Sequence, residues 1–265
     1  MKLTASKISD YKRDGRKIAM LTVYDYAGAR ILDEAGIDVL LVGDSMGNVV
    51  QGKSTTLPVT LDEIIYHAEI VTRAVRRALV VVDLPFPYCQ LGVSEAIRAA
   101  ARIFKETEAD AVKVEGGSKR AATVAAIIDA GIPVMGHCGL LPQNIHLAGG
   151  FFIQRQREEL LCDVKAIESA GAFAILVECL TPEIAKEATA VLRVPTIGIG
   201  SGGECDGQVL VFHDVFGYIP PEKERPPKHV RQYADLRTIV TEAAKNYIND
   251  VHNSTFIIKP NTNND

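Results

Sequence analysis

Five consecutive apolar runs end in ionisable side chains, a spacing that could support chemistry. "VLLVGDSMGN", residues 39 to 48, stays apolar through Val42 and then presents Asp44 and Ser45. "ALVVVDLPF" ends at Asp83, "AVKVEGG" carries Lys113 and ends at Glu115, "IPVMGHCGL" ends at His137, and "AILVECL" ends at Glu178. Each has an ordinary reading when taken alone. Asp44 or Asp83 could cap a helix or make a turn. Lys113 and Glu115, two apart on one strand face, could be a structural ion pair. His137 could be a satisfied core histidine, and Glu178 the first acid of the next helix. Gathered around one mouth, however, carboxylates, a lysine and a histidine would be costly to bury without a use. Jointly they point to an active site.

Asp44, Asp83 and Glu115 are hard oxygen donors, and no Cys or second His stands at metal-ligand spacing. That set suits Mg²⁺, which prefers oxygen and keeps positions open for water or substrate. The keto and carboxylate oxygens of a 2-oxo acid would fill those positions, and the ion would stabilise the enolate formed when a base removes the neighbouring C–H proton. Glu178 is the candidate base. Lys113 supplies positive charge for the substrate carboxylate, with a Schiff base at Lys113 as the competing role.

The elements that must carry these residues are legible. "EAGIDVLLV", "DAGIPVMGH" and "SAGAFAILV" each end a helical pattern at a glycine (Gly36, Gly131, Gly171) and enter an apolar run. Glycine suits a residue that turns left-handed after a helix. "TEADAVKV" repeats the joint without the glycine. Thr60 to Glu63 forms a capping box ahead of a helix predicted near Leu61 to Arg77, and Thr181-Pro182-Glu183 opens another helix. Short apolar runs between helices indicate parallel strands buried on both faces. The predicted strands are Ile18–Val23, Val39–Val42, Leu79–Val82, Ala111–Val114, Pro133–Gly136, Ala172–Val177, Pro195–Ile199 and Gln208–Phe212. Eight such units predict a single-domain α/β fold, a (β/α)8 TIM barrel, over residues 1–252, followed by a polar tail at 253–265 expected to be flexible. Active sites of such barrels lie at the carboxyl ends of the strands.

Composition sets the remaining bounds. The chain has 265 residues, 47% of them hydrophobic, and a net charge of −4, which gives no electrostatic case for nucleic acid. No apolar run approaches the roughly 18 residues a membrane span needs, and the polar start is no secretory signal. Five cysteines without a C-x-x-C pair read as reduced thiols in a cytoplasmic protein. "GIGSGG" (198 to 203) matches G-x-G-x-x-G, but the next strand follows too soon for the helix a dinucleotide site requires. His67 and His146 show no clear partners and read as surface or packing residues. "EKERPPKHVR", from Glu222, reads as a solvated connector.

Taken with "LVGDSMGNVVQGKSTTLPVT", "KVEGG", "GHCGLLPQ", "LVECL" and "GIGSGGECDGQVLVFHDVFG", the chain resembles the ketopantoate hydroxymethyltransferases from about Leu21 through His229. The resemblance implies a (β/α)8 barrel, Mg²⁺, and transfer of a hydroxymethyl group from 5,10-methylenetetrahydrofolate to 3-methyl-2-oxobutanoate, giving ketopantoate for pantothenate synthesis. It assigns Asp44, Asp83 and Glu115 to the metal, and Asp44, Ser45, Asp83, Lys113 and His137 to the 2-oxo acid. Glu178 becomes the general base. It also implies a homo-oligomer, often a decamer, with neither nucleic acid nor membrane as partner. The chain departs from the family at "GGFFIQRQ", from Gly149, where a "GGYKVQG" segment is usual: Phe151 replaces Tyr, Phe152 the basic residue and Arg155 the second Gly. That loop is expected to cover the barrel mouth. Two other readings stand beside the transferase: a metal-dependent 2-oxo acid aldolase or lyase of the phosphoenolpyruvate/pyruvate type, and a barrel that binds without catalysis.

Overall fold

A computed structural model describes residues 2–219 and 227–256. Eight strands, β1 (Ile18–Thr22), β2 (Val39–Val42), β3 (Leu79–Asp83), β4 (Ala111–Glu115), β5 (Val134–Gly139), β6 (Ala174–Glu178), β7 (Thr196–Ile199) and β8 (Gly207–Leu210), close into a barrel in sequence order. Every neighbouring pair is parallel, including β1 with β8. The fold is the (β/α)8 barrel that the sequence predicts. It lies within Met1–Val211; Phe212–Asp265 cluster as a separate compact unit. That unit contains a short helix Phe212–Val215 and a long one, Leu236–His252, capped by Asp235. Phe212, predicted to end the last strand, therefore begins a helix. Residues 222–226 of the predicted connector at 222–231, and most of the tail at 253–265, lie outside the described residues.

Alternation along the strands decides what fills the barrel. Ile18, Met20, Val39, Leu41, Leu79, Val81, Ala111, Met135, Ala174, Leu176, Ile197 and Val209 form one buried apolar cluster. Ile8 and Tyr11, from the helix Ala5–Arg13, join that cluster. Alternate residues of a strand share a face. Carrying each inward series upward therefore reaches Asp83 on β3, Lys113 and Glu115 on β4, His137 on β5 and Glu178 on β6. Strand pairing aligns the same residues: Asp83 with Lys113, Glu115 with His137, and Gly139 with Glu178. The predicted strand ends at Val82, Val114 and Gly136 fall short because these polar positions still belong to the ladder.

The joints work as read. Gly36, Gly131 and Gly171 take φ of 91°, 88° and 98°, the left-handed region where a Cβ is unfavourable. Thr60 and Glu63 make both bonds of the capping box, and the helix runs Leu61–Ala74, three residues shorter than predicted. Asp33, near the end of the helix Tyr26–Glu34, accepts backbone N–H bonds from Arg76, Arg77 and Ala78 and so fixes the entry into β3. Burial raises the Asp33 pKa, but those donors outweigh it and hold the carboxyl below its ordinary value.

A lowered folded pKa means that Asp33 contributes stability above its unfolded value of about 3.9, and that the contribution fades as pH falls through the lower folded value. Asp33→Asn is expected to cost about 1–3 kcal/mol at pH 7. Urea denaturation should show the difference shrinking in acid; an equal difference at both pH values would contradict this account.

Candidate active site

The inward residues at the strand ends meet in one contact chain. Lys113 Nζ lies 3.1 Å from Asp83 Oδ1, 3.7 Å from Glu115 Oε1 and 3.2 Å from His137 Nδ1. His137 Nδ1 is 3.5 Å from Glu115 Oε1, and on its far side His137 Nε2 is 3.2 Å from Glu178 Oε2. Asp44, just beyond β2, joins through its backbone N–H, which donates to Asp83 Oδ2 at 3.0 Å. Asp44, Asp83, Lys113, Glu115 and His137 are each at most 4% exposed, and the side chain of Glu178 is 15% exposed. Ser45 is half-buried, and its Oγ bonds the Tyr24 hydroxyl at 2.8 Å.

Burial and mutual repulsion set the protonation tendencies. Burial, then the charges of Asp83 and Glu115, push Asp44 well above the usual carboxylate range. Asp83 is also raised by burial, although Lys113 opposes the shift. Burial alone would push Lys113 down, but the carboxylates around it win and raise it. Glu115 is likewise pushed up by burial and more strongly pulled down by His137, Lys113 and the Gln143 backbone N–H. Burial and Lys113 lower His137, yet Glu115 and Glu178, one on each side of the ring, raise it overall. The cluster thus holds more negative charge than its lysine balances.

That surplus bears on a metal. Glu115 is already engaged, Oε2 by the Gln143 N–H and Oε1 by the lysine and histidine. Asp83 Oδ1 has no partner beyond its contact with Lys113, and Asp44 is the acid whose charge is least compensated. Among the described residues no group of three His, Cys, Asp or Glu is arranged to hold an ion. The donor set therefore fits a hard divalent cation held by two carboxylates, Asp44 and Asp83, with its remaining positions left to water and substrate.

A family model described as ketopantoate hydroxymethyltransferase matches residues 2–259. The chain belongs to that family. A family relative, the 3-methyl-2-oxobutanoate hydroxymethyltransferase of Rhodopirellula baltica, is 51% identical over 255 residues, covering 96% of this chain and 94% of the relative. A protein of the same name from Pelodictyon phaeoclathratiforme is 52% identical over 262 residues, with the same coverage. Among solved structures, phosphoenolpyruvate phosphomutase from Streptomyces platensis superposes with a TM-score of 0.64 at 15% identity, over 97% of this chain and 92% of that one. A 2,3-dimethylmalate lyase superposes with a TM-score of 0.60 at 15% identity, over 98% and 92%. At such identity these structures share the fold with the family and carry no more.

The segment 149–156 sits beside the candidate base. The Gln154 N–H donates to Cys179 O at 2.7 Å, and Gln154 bridges Leu180 in parallel, so the segment pairs with the chain just past Glu178. Phe151, Phe152 and Ile153 remain exposed. Cys179 turns with φ of 53°, a left-handed conformation that costs a non-glycine residue roughly 1–2 kcal/mol.

Sequence reasoning missed three residues of the site. Gln143, 5% exposed, donates its side-chain amide to Asp44 Oδ2 and Leu84 O, both at 3.0 Å, and its backbone N–H to Glu115 Oε2. Tyr24 holds Ser45. His67, read as a packing residue, has a partner after all: its Nδ1 lies 2.6 Å from Tyr24 O, and since a carbonyl accepts, Nδ1 carries the proton. The signals were present in "VYDY" and "GLLPQ", which place polar residues just beyond β1 and β5. His146 is exposed.

Replacing Lys113 with Met removes the cation shared by buried acids. In metal-free buffer this is expected to cost about 3–5 kcal/mol, because the acids are left unpaired. Adding Asp83→Asn to Lys113→Met should restore part of the loss in a denaturant titration. No restoration would mean that Lys113 acts through packing rather than charge.

Proposed function

We propose that the protein is a 3-methyl-2-oxobutanoate hydroxymethyltransferase, taking the one-carbon unit from 5,10-methylenetetrahydrofolate with Mg²⁺ as the metal. The observation that carries this reading is the single buried chain running from Asp44 and Asp83 through Lys113 and His137 to Glu178. It brings two carboxylates, a lysine and a glutamate together at one rim, which supports their reading as a cation site, a positive charge for a carboxylate and a base. Family membership and the relatives' shared name support the same reaction.

Asp44 and Asp83 would hold the Mg²⁺, which when bound supplies Lewis-acid polarisation of the substrate's keto oxygen. Lys113 attracts the substrate carboxylate, and Ser45, fixed by Tyr24, offers a hydroxyl beside Asp44. Glu178 removes the C3 proton, and His137 Nε2 holds that carboxylate in place. Water opens the carrier's methylene bridge to formaldehyde, both C–N bonds breaking as the two nitrogens take its protons. The enolate carbon then bonds the formaldehyde carbon, and the resulting alkoxide takes the proton held by Glu178 to become the hydroxyl. Apolar barrel layers fill the space beneath the acids and support them from below.

The same reading includes a cytoplasmic homo-oligomer, for which the family resemblance is the support. No helix among the described residues is long and apolar enough to cross a membrane.

The test follows the C3 proton of 3-methyl-2-oxobutanoate in D₂O by NMR, without folate. Exchange is expected with Mg²⁺, to be lost with chelator, and to fall about 10²–10⁴-fold in Glu178→Gln. Ketopantoate should then appear only when methylenetetrahydrofolate is added, whereas a lyase would be indifferent to it. Undiminished exchange in Glu178→Gln would remove Glu178 as the base.

A further inference from the structure

The glycine-rich segment 198–203, which leaves no room for a dinucleotide helix, packs against the candidate base instead. β7 ends at Ile199, and the chain then turns left-handed at Gly200 (φ of 61°) and Gly202 (φ of 80°), one on each side of Ser201. Glycine takes that conformation without a steric cost, so the pair can fold a serine back against the sheet. Ser201 is fully buried, and its hydroxyl bonds the chain at the end of β6. Ser201 Oγ accepts the Leu180 N–H at 3.1 Å and donates to Val177 O at 2.9 Å, with Ile199 O 3.2 Å away. Val177 and Leu180 bracket Glu178 and Cys179 in the sequence. One hydroxyl therefore grips the backbone on both sides of the base.

That stretch of backbone has to be held. Cys179, at φ of 53°, and Ser254 are the two non-glycine residues of positive φ among the described residues. Such a conformation persists where its surroundings over-determine it, and it gathers at functional sites. Four hydrogen bonds do so here. Glu178 O accepts the Leu140 N–H at 2.9 Å, and the Cys179 N–H donates to Ile199 O at 2.9 Å. Cys179 O accepts the Gln154 N–H at 2.7 Å, and the Leu180 N–H reaches Ser201. Only the last of these is made by a side chain. Without it the buried Leu180 N–H loses its acceptor, and relaxation of the turn would shift the Glu178 carboxylate from its place beside His137 Nε2. We propose that Ser201 is a positioning residue for the base: its hydroxyl locks the left-handed turn at Cys179 and so fixes where the Glu178 carboxylate stands. The inference rests on the reading of Glu178 given under Proposed function and extends it to a residue outside the acid cluster.

Loss of the hydroxyl should therefore show in rate and not in binding. Folate-free C3–H exchange of 3-methyl-2-oxobutanoate would be followed in D₂O with Mg²⁺ on the full-length protein. In Ser201→Ala, kcat for exchange is expected to fall about tenfold, the effect of a small misplacement of the base. KM for the 2-oxo acid and the Mg²⁺ concentration at half-maximal rate should stay within about twofold, because Asp44, Asp83 and Lys113 keep their places. A serine that only stabilises the fold would lower the amount of active protein without this split. The double variant Ser201→Ala/Cys179→Gly makes the test specific to the turn. Glycine holds φ of 53° at no steric cost, so the turn no longer depends on the hydroxyl and most of the lost rate should return. A parental kcat in Ser201→Ala, or a double variant no faster than Ser201→Ala, would overturn the positioning role while leaving Glu178 as the base. No exchange in the parent protein, or undiminished exchange in Glu178→Gln, would overturn the reading of the base, and the role of Ser201 with it.

Discussion

One ammonium group sets the terms for the mouth of this barrel. Lys113 Nζ is buried with Asp83 and Glu115 within 4 Å, and no bulk water screens them. Taking a carboxylate out of water costs several kcal/mol, which a single shared cation offsets only in part. The unevenness is visible: Glu115, with histidine, lysine and a backbone donor around it, is held as an anion, whereas Asp44 is driven toward its neutral form. A mouth with that imbalance favours any ligand that brings positive charge to the Asp44 side. The cluster is thus a stability cost in the empty protein and a source of affinity once loaded.

The strands meet the cost by making the acids part of the scaffold. Asp83, Lys113, Glu115 and Glu178 are strand residues in ladder register, standing on the same inward rows as the valines and leucines below them. Positions on strands are held more tightly than positions on loops. The loop elements add contacts from above, and Gln143 is the strongest case, tying the ends of β2, β3 and β4 together from beyond β5.

What the sequence shows and what it hides follow from the range of each interaction. Helix-to-strand joints, the Thr60–Glu63 box and the continuous apolar runs of the buried strands are decided within a few residues, so they are legible. The acids at the strand ends are legible for the same reason, since an ionisable residue closing an apolar run is a local event. Strand boundaries are less so: whether Asp83 still belongs to β3 depends on Lys113 across the ladder. Gln143 is hidden because its meaning lies 99 positions away, at Asp44. His67 is hidden in the same way, its partner being a backbone carbonyl on the far side of β2. The loop from Gly149 could be marked as unusual from its letters, but its pairing with Cys179 and Leu180 required the folded chain.

Cysteine placement gives the molecule a chemical handle. Cys89, Cys138 and Cys205 are buried, and burial pushes each thiol upward, Cys89 to about 12. Cys179, next to the base, is half-buried and raised to about 11 by burial and by the charge of Glu178. Thiols held protonated react slowly with alkylating agents and oxidants. Cys162, on the helix Arg157–Ser169, is the exposed one, and its neighbour Asp163 lines a cavity beside the acids. A maleimide dye would therefore settle on Cys162 first, giving a fluorescent reporter at the edge of the cavity without any engineered residue.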